Sequence, residues 1–432
     1  MPSRNPQSPG LKLGVIADDF TGGTDMAGFL VKGGLSTIQF GGLPQPGTAI
    51  EAEAAVISLK SRSCPPEEAI ALSLAALDSL RARGCRGCSV NSCSSFDSTP
   101  RGNIGPVTEA LMAALGEDFT VICPALPQNG RTVYNGYLFV GPVLLNESGM
   151  RHHPVNPMLD ANLMRLMEAQ APGRAANLPW TVIDQGPEVV TAILEALRRE
   201  GIRYAAPDVL REEHLLTLGR ALADFPLLTG GSGLGYGLAR CLADGDGVDE
   251  AQAAAAGAPP DGGRTVALSG SCSVMTNSQV AAYARVAPRL VIDAARCLSD
   301  AVAYAREAAA WATKQSSHLA PLISATTGPE ILAETQKRFG AEKLAAAVET
   351  FFAALAKHLR AEGFDHFIVA GGETSGAVMQ SLGAAALRIG PEIAPGVPWV
   401  RAVDAPLSFA LKSGNFGDEN FFTHAQSFYT SQ

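Results

Sequence analysis

A chain of 432 residues with 47% hydrophobic residues has apolar surface for more than one buried core, and its length points to two domains or more. A formal net charge of -9, with no run of Lys or Arg, argues against a nucleic-acid footprint and leaves a small-molecule ligand as the expected partner. No stretch of about 18 uninterrupted apolar residues occurs, so no membrane span is expected.

The first ten residues, MPSRNPQSPG, lack an apolar core before a cleavage site and read as a loose tail, which makes the cytoplasm the expected location. Leu13 to Ala17, Ala54 to Leu59, Phe119 to Cys123, Trp180 to Ile183 and Pro226 to Thr229 are apolar, β-branched runs that predict strands. Glu67 to Arg83 and Pro187 to Glu200 carry a helical pattern between them. Asp244 to Gly263, rich in Gly, Ala, Pro and Asp without an apolar face, reads as a linker between a domain over 11–243 and a second over 264–432. Beyond it the pattern restarts with TVALSG and includes a long helix from Ala341 to Glu362. The alternation predicts an α/β fold, expected as two α/β domains facing across a cleft that holds the active site. Of eight cysteines, Cys85 and Cys88 form one CxxC near Cys93; with no second ligand pair nearby, they read as reduced thiols.

Chemistry concentrates in a few stretches. GVIADDFTGGTDMAG places Asp18 and Asp19 at the end of a strand and Asp25 in what reads as the first turn of a helix. A helix dipole and a cap account for one or two of these carboxylates, but not for two consecutive ones; one should face a cleft, where it could take a proton from a substrate hydroxyl. In SSFDSTPRGNIGPV, Arg101 either offers a fork to a carboxylate or is solvated while Asp97 to Thr99 cap the helix. GMRHHPVNPM holds Arg151, His152 and His153 in a Pro-bounded loop, at a spacing unlike a helical metal pair.

Three stretches of the second half share one pattern, an apolar strand ending in Gly and small hydroxyl residues: VALSGSCSVMTNSQ, FIVAGGETSGAVMQ and FALKSGNFG. Such turns aim backbone N–H groups at one point, and together they suit a phosphate at the carboxyl ends of a sheet. Neither a Walker A sequence nor the dinucleotide fingerprint is present, since no Lys follows a Gly and GGSGLGYG fails the G-x-G-x-x-G spacing.

These stretches, with CPALPQNGRTVYNGYLFVG and FALKSGNFGDENFF in order from about Leu13 to Phe422, resemble the four-carbon acid sugar kinases, and most of all the members acting on 3-oxo acids. The resemblance implies an acid-sugar-binding domain followed by a nucleotide-binding domain, and ATP-dependent phosphorylation of the 4-hydroxyl of a 3-oxo-tetronate. It implies ATP contacts at Ser269, Gly371, Gly372, Glu373, Thr374 and Gly414, with Mg²⁺ bridging the phosphates and Glu373 a candidate to reach it. It also implies Asp18, Asp19 and Asp97 as catalytic candidates and Asp25, Ser94, Ser98, Arg101, Arg151 and His152 as substrate contacts, with Arg101 on the substrate carboxylate. Where the family tends to carry a Lys-aromatic pair, this chain has Asn91 and Ser92. A threonate or erythronate kinase and a non-catalytic acid-sugar or nucleotide sensor are the alternatives, and a homo-oligomer is left open.

Overall fold

The computed structural model describes residues 10–45, 48, 50–62, 64–85, 87–91, 96, 99–152, 156–243, 249–414 and 416–430, without the side chains of 88–91, 152, 329, 332 and 430. The chain divides into two compact units, Met1–Ala253 and Ala254–Gln432.

The first unit begins β1 (Leu13–Ala17), α1 (Phe20–Lys32), β2 (Thr37–Gly41), β3 (Ala54–Ser58), α2 (Pro66–Arg81), β4 (Gly87–Asn91), α3 (Ile104–Leu115) and β5 (Thr120–Cys123). A small antiparallel sheet of β6 (Arg131–Tyr134), β7 (Tyr137–Val140) and β8 (Val143–Leu144) follows, then α4 (Leu163–Gln170), β9 (Arg174–Leu178), α5 (Trp180–Ile183) and α6 (Pro187–Arg199). The unit closes with β10 (Ile202–Pro207), α7 (Glu212–Leu222), β11 (Leu227–Gly230), α8 (Ser232–Leu242) and α9 (Glu250–Ala255, which crosses into the second unit). Its main sheet has the order β2-β3-β1-β4-β11-β5-β10-β9 with parallel pairing throughout. β1, β3, β5 and β11 are buried at every residue, as strands covered by helices on both faces must be.

The second unit comprises β12 (Arg264–Ser269), α10 (Val274–Tyr283), β13 (Arg289–Val291), α11 (Ala294–Thr313), β14 (Leu322–Ser324), α12 (Pro329–Phe339) and α13 (Ala341–Ala361). It ends with β15 (Phe364–Ala370), α14 (Gly372–Ser381), β16 (Ala386–Ala394), β17 (Val397–Ala402), β18 (Ser408–Lys412) and α15 (Phe421–Thr430). Its strands lie in the order β13-β14-β12-β15-β18-β17-β16, parallel from β13 to β18 and antiparallel at β17 and β16. The core here includes Ile368, Trp399, Ala410, Phe421 and Phe422.

One expectation is corrected. Trp180–Ile183 is a helical turn, not a strand: Pro179 starts it, and the Trp180 N–H donates to Asp208 Oδ2 at 3.2 Å. Four apolar residues are too few to separate the helical period from the strand period, and fully buried Asp208 supplies an acceptor from a distant part of the chain. Inside the stretch read as a linker, Glu250–Ala255 is helical, with Ala253 and Ala254 buried. No helix among the described residues is long and apolar enough to cross a membrane. Burial pushes the Cys85 thiol up to about 11, disfavouring the thiolate that metal or redox chemistry requires, while the side chains of Cys88 and Cys93 lie outside the described residues.

The start of α1 is held from beneath. Buried Gln39 on β2 donates to Ser58 Oγ and to the Phe20 carbonyl, both at 2.9 Å, and accepts from Thr24 Oγ1 at 2.9 Å. Gly23 leaves room for this network, since a Cβ there would lie 2.0 Å from Ser58 Oγ. Gly23→Ala should therefore cost about 1–3 kcal/mol in denaturant unfolding, and Ser58→Ala should restore part of it. Unchanged stability of Gly23→Ala would refute this packing.

Candidate functional site

Parallel register aligns the strand ends of the first unit. Ala17 pairs with Ser58 and Asn91, and Gly230 pairs with Asn91 and Cys123, so the segments after β1, β3, β4, β5 and β11 leave the sheet at one edge. Asp18 and Asp19 leave β1 there, and Arg62 lies four residues past β3.

The Arg62 guanidinium grips both aspartates. Nε donates to Asp18 Oδ2 at 3.0 Å, Nη2 to Asp18 Oδ1 at 2.7 Å, and Nη1 lies 2.6 Å from Asp19 Oδ2. Asp19 also caps α1, accepting the Gly22 N–H at 2.5 Å and the Thr21 hydroxyl at 3.3 Å. The planar fork offsets the repulsion of adjacent carboxylates and sets their orientation. The Arg62 loop is itself fixed: buried Asn103 donates from Nδ2 to the carbonyls of Ser61 at 2.6 Å and of Arg62 and Cys64 at 3.3 Å, and the Asp18 carbonyl accepts the N–H groups of Ser61 and Arg62.

Asp25 lies in the second turn of α1, not the first, because the helix already starts at Phe20. There Ser232 Oγ donates to Asp25 Oδ2, tying α1 to α8. Arg101 is exposed, with its main-chain N–H on Thr99 Oγ1. The N-terminus of α3 is served by Gln170, whose Oε1 accepts the Gly105 N–H at 2.8 Å while its Nε2 holds the Thr99 carbonyl at 2.6 Å. Arg151 is exposed and donates to the Asn146 carbonyl at 3.2 Å. Ser94, Asp97 and Ser98 lie outside the described residues, as do Ser92 and the side chains of Asn91 and His152.

In the second unit the same alignment holds, Ser269 pairing with Ala370 and Ser324, and Ala370 with Lys412. The three Gly-rich loops pack on one another at this edge. A Cβ on Gly270 would lie 2.1 Å from Thr374 Oγ1, and one on Gly414 would lie 2.9 Å from Ser271 Oγ. Gly371 has φ +122, a conformation that favours glycine, and α14 starts without a side-chain cap, leaving first-turn N–H groups at Gly372 and Glu373 directed out of the helix. Ser269 is fully buried and shares a 2.6 Å hydrogen bond with Thr326, which in turn donates to the Ser271 carbonyl at 2.8 Å; it braces the first loop from below.

A cavity of about 300 Å³ opens beside these loops, with Gly270, Glu373 and Thr374 at one side and Leu344, Val348 and Gln336 among its other walls. Apolar walls beside a cluster of N–H groups suit a flat heterocycle carrying phosphates. Among the described residues no group of three or more His, Cys, Asp or Glu is placed to hold a metal ion.

The sequence reading gave no role to Arg62, Asn103 or Lys412. Arg62 had one signal: it lies in the short segment that follows an apolar strand run, as Asp18 does. Lys412 stood inside a quoted loop stretch, but its burial could not be read there.

Residues 13–238 match the family model described as a sugar-binding N-terminal domain, and residues 266–422 the one described as a nucleotide-binding C-terminal domain. The chain is 59% identical over 417 residues to a 3-oxo-tetronate kinase of Brucella melitensis, covering 96% of this chain and 95% of that one. It is 56% identical over 418 residues to a 3-oxo-tetronate kinase of Salmonella typhimurium, covering 96% and 99%. A solved structure from Salmonella typhimurium LT2, described provisionally as a tRNA synthase, matches with a TM-score of 0.91 and 55% identity, covering 97% of this chain and 100% of that one.

Arg62→Met leaves two partly buried carboxylates facing each other and should lower stability by about 1–3 kcal/mol in denaturant unfolding. Arg62→Lys should recover only part, since one ammonium cannot reproduce the fork. Wild-type stability in Arg62→Met would rule out the grip as a structural element.

Proposed function

Because this chain belongs to the four-carbon acid sugar kinase family, we propose that it transfers the terminal phosphate of cytoplasmic ATP to the 4-hydroxyl of a 3-oxo-tetronate, giving the 4-phosphate. The observation that carries this reading is the contrast between the two strand edges. One presents an oriented pair of carboxylates, and the other presents packed glycine loops beside an apolar cavity.

Phosphoryl transfer depends mainly on positioning and on neutralising charge. Asp18 and Asp19, turned by Arg62, act as acceptors that orient the 4-hydroxyl and take its proton as the phosphorus–oxygen bond forms. Exposed Arg101 supplies the fork for the substrate carboxylate, with Arg151 a further contact. On the nucleotide side, the N–H groups at the head of α14 and the Gly270 and Gly414 loops cradle the phosphates, while Leu344 and Val348 flank the base. Glu373, exposed in the first turn of α14 and lining the cavity, fits Mg²⁺, which takes one or two carboxylates together with phosphate oxygens. When bound there, Mg²⁺ would neutralise phosphate charge. A tRNA substrate is disfavoured by the net charge of -9.

The test is ADP release from ATP and Mg²⁺ with 3-oxo-tetronate epimers, and with threonate and erythronate for comparison. Turnover restricted to the oxo acids is expected, and Asp19→Asn should lower kcat by about 10²–10⁴ with the fold intact. Turnover on threonate or erythronate alone would reassign the substrate. Tight binding of acid and nucleotide without ADP release would make the protein a sensor.

A further inference from the structure

Lys412 ends β18 and is fully buried. Its ammonium donates to Thr276 Oγ1 at 3.1 Å, to the Ser413 carbonyl at 3.0 Å and to the Gly414 carbonyl at 3.1 Å. The Gly414 carbonyl also accepts from Ser273 Oγ at 2.6 Å and Thr276 Oγ1 at 2.7 Å, both belonging to the loop and helix that follow β12. The main-chain carbonyl of Lys412 accepts the Gly371 N–H at 2.9 Å. One residue is thus bonded, through its main chain and its side chain, to all three Gly-rich segments.

A buried ammonium costs free energy that a methionine of similar length in the same space would not. A return for that cost is expected at a site where positive charge is useful, and this chain lacks the Gly-Lys of a Walker loop. We propose that Lys412 is a positioning residue for the nucleotide, locking the three loops in their binding arrangement and lending them a buried positive charge that favours phosphate. The inference rests on the nucleotide reading of this edge.

Burial alone lowers the Lys412 pKa to about 8, with no ionisable group among the described residues contributing. The groups around it bear this out. β15 places Ala370 in register beside it, α10 brings Thr276, α15 brings the Phe421 ring at 5.8 Å, and Glu373 of α14 and Asp418 and Glu419 ahead of α15 are exposed. The folded pKa lies below the ordinary value of 10.5, so the positive charge is present below about pH 8 and is lost as pH rises through it. Phosphate binding should weaken in the same window.

The experiment measures kcat and KM for ATP and for the acid substrate from about pH 6.5 to about 9.5 in the wild type, Lys412→Met and Lys412→Gln, with melting temperatures alongside. In the wild type, KM for ATP should rise about tenfold or more above pH 8 while KM for the acid stays level. Lys412→Met should carry the raised KM at every pH, without an alkaline limb and without a matching loss of melting temperature. Lys412→Gln keeps donors for the carbonyls and should also lack the limb. An alkaline limb surviving in Lys412→Met, or unchanged KM for ATP in both variants, would overturn the inference but leave the nucleotide site standing. Should neither variant fold, the wild type decides: a KM for ATP that stays flat through the window refutes the proposal. A wild type that neither binds nor turns over ATP refutes the nucleotide reading and this proposal together.

Discussion

Parallel in-register pairing governs how each unit is built. Neighbouring strands that run the same way and start level also end level, so the chain segments leaving them at the carboxyl edge of the sheet come together there. In the first unit this gathers Asp18, Asp19 and the Arg62 loop, which lie on segments separated by a helix and two further strands. In the second it gathers three loops whose glycines are needed because each loop leans on the next. The helices on both faces keep the strands dry and leave the edges as the places where polar chain must find partners.

The two edges handle charge in opposite ways. Adjacent carboxylates after β1 are tolerated because Arg62 reaches both with three nitrogens, and Asn103 holds the Arg62 loop by its carbonyls. That arrangement is a partly exposed ion pair with bidentate geometry on Asp18. At the other edge the hydrogen-bond partners of the Lys412 ammonium among the described residues are neutral oxygens, which leave its charge uncancelled. On the proposed reading, an acid substrate with hydroxyls would call for oriented acceptors, and a polyanionic nucleotide for N–H groups and net positive potential.

Membership of the four-carbon acid sugar kinase family fits this division, one family model covering the first unit's sheet and the other the second's. Ser269 shows how a motif residue can serve a site from below: its hydroxyl is committed to Thr326, and its effect reaches the loop surface through the Ser271 carbonyl. Gln170 has a similar part in the first unit, joining the Thr99 carbonyl to the head of α3 from a helix about seventy residues away in the chain.

Much of the fold was legible in the chain because burial on both faces leaves long apolar runs. Leu13–Ala17 was read to the residue, and the helices near Glu67, Pro187 and Ala341 to within a few residues. Trp180–Ile183 was misread because four apolar residues carry no period, and its partner Asp208 is remote in sequence. The glycine loops were legible as candidate phosphate cradles, since local composition alone produces a strand, a tight turn and a helix start. What the sequence by itself determined is therefore the order of strands and helices, the family and the position of the Gly-rich turns, all properties of contiguous residues. Only the tertiary structure decided that Arg62 answers the Asp18–Asp19 pair, that Asn103 holds the Arg62 loop and that Lys412 is buried beneath three loops. Each of those depends on which strand ends meet, and hydrogen bonds between segments far apart in sequence leave no local pattern to read.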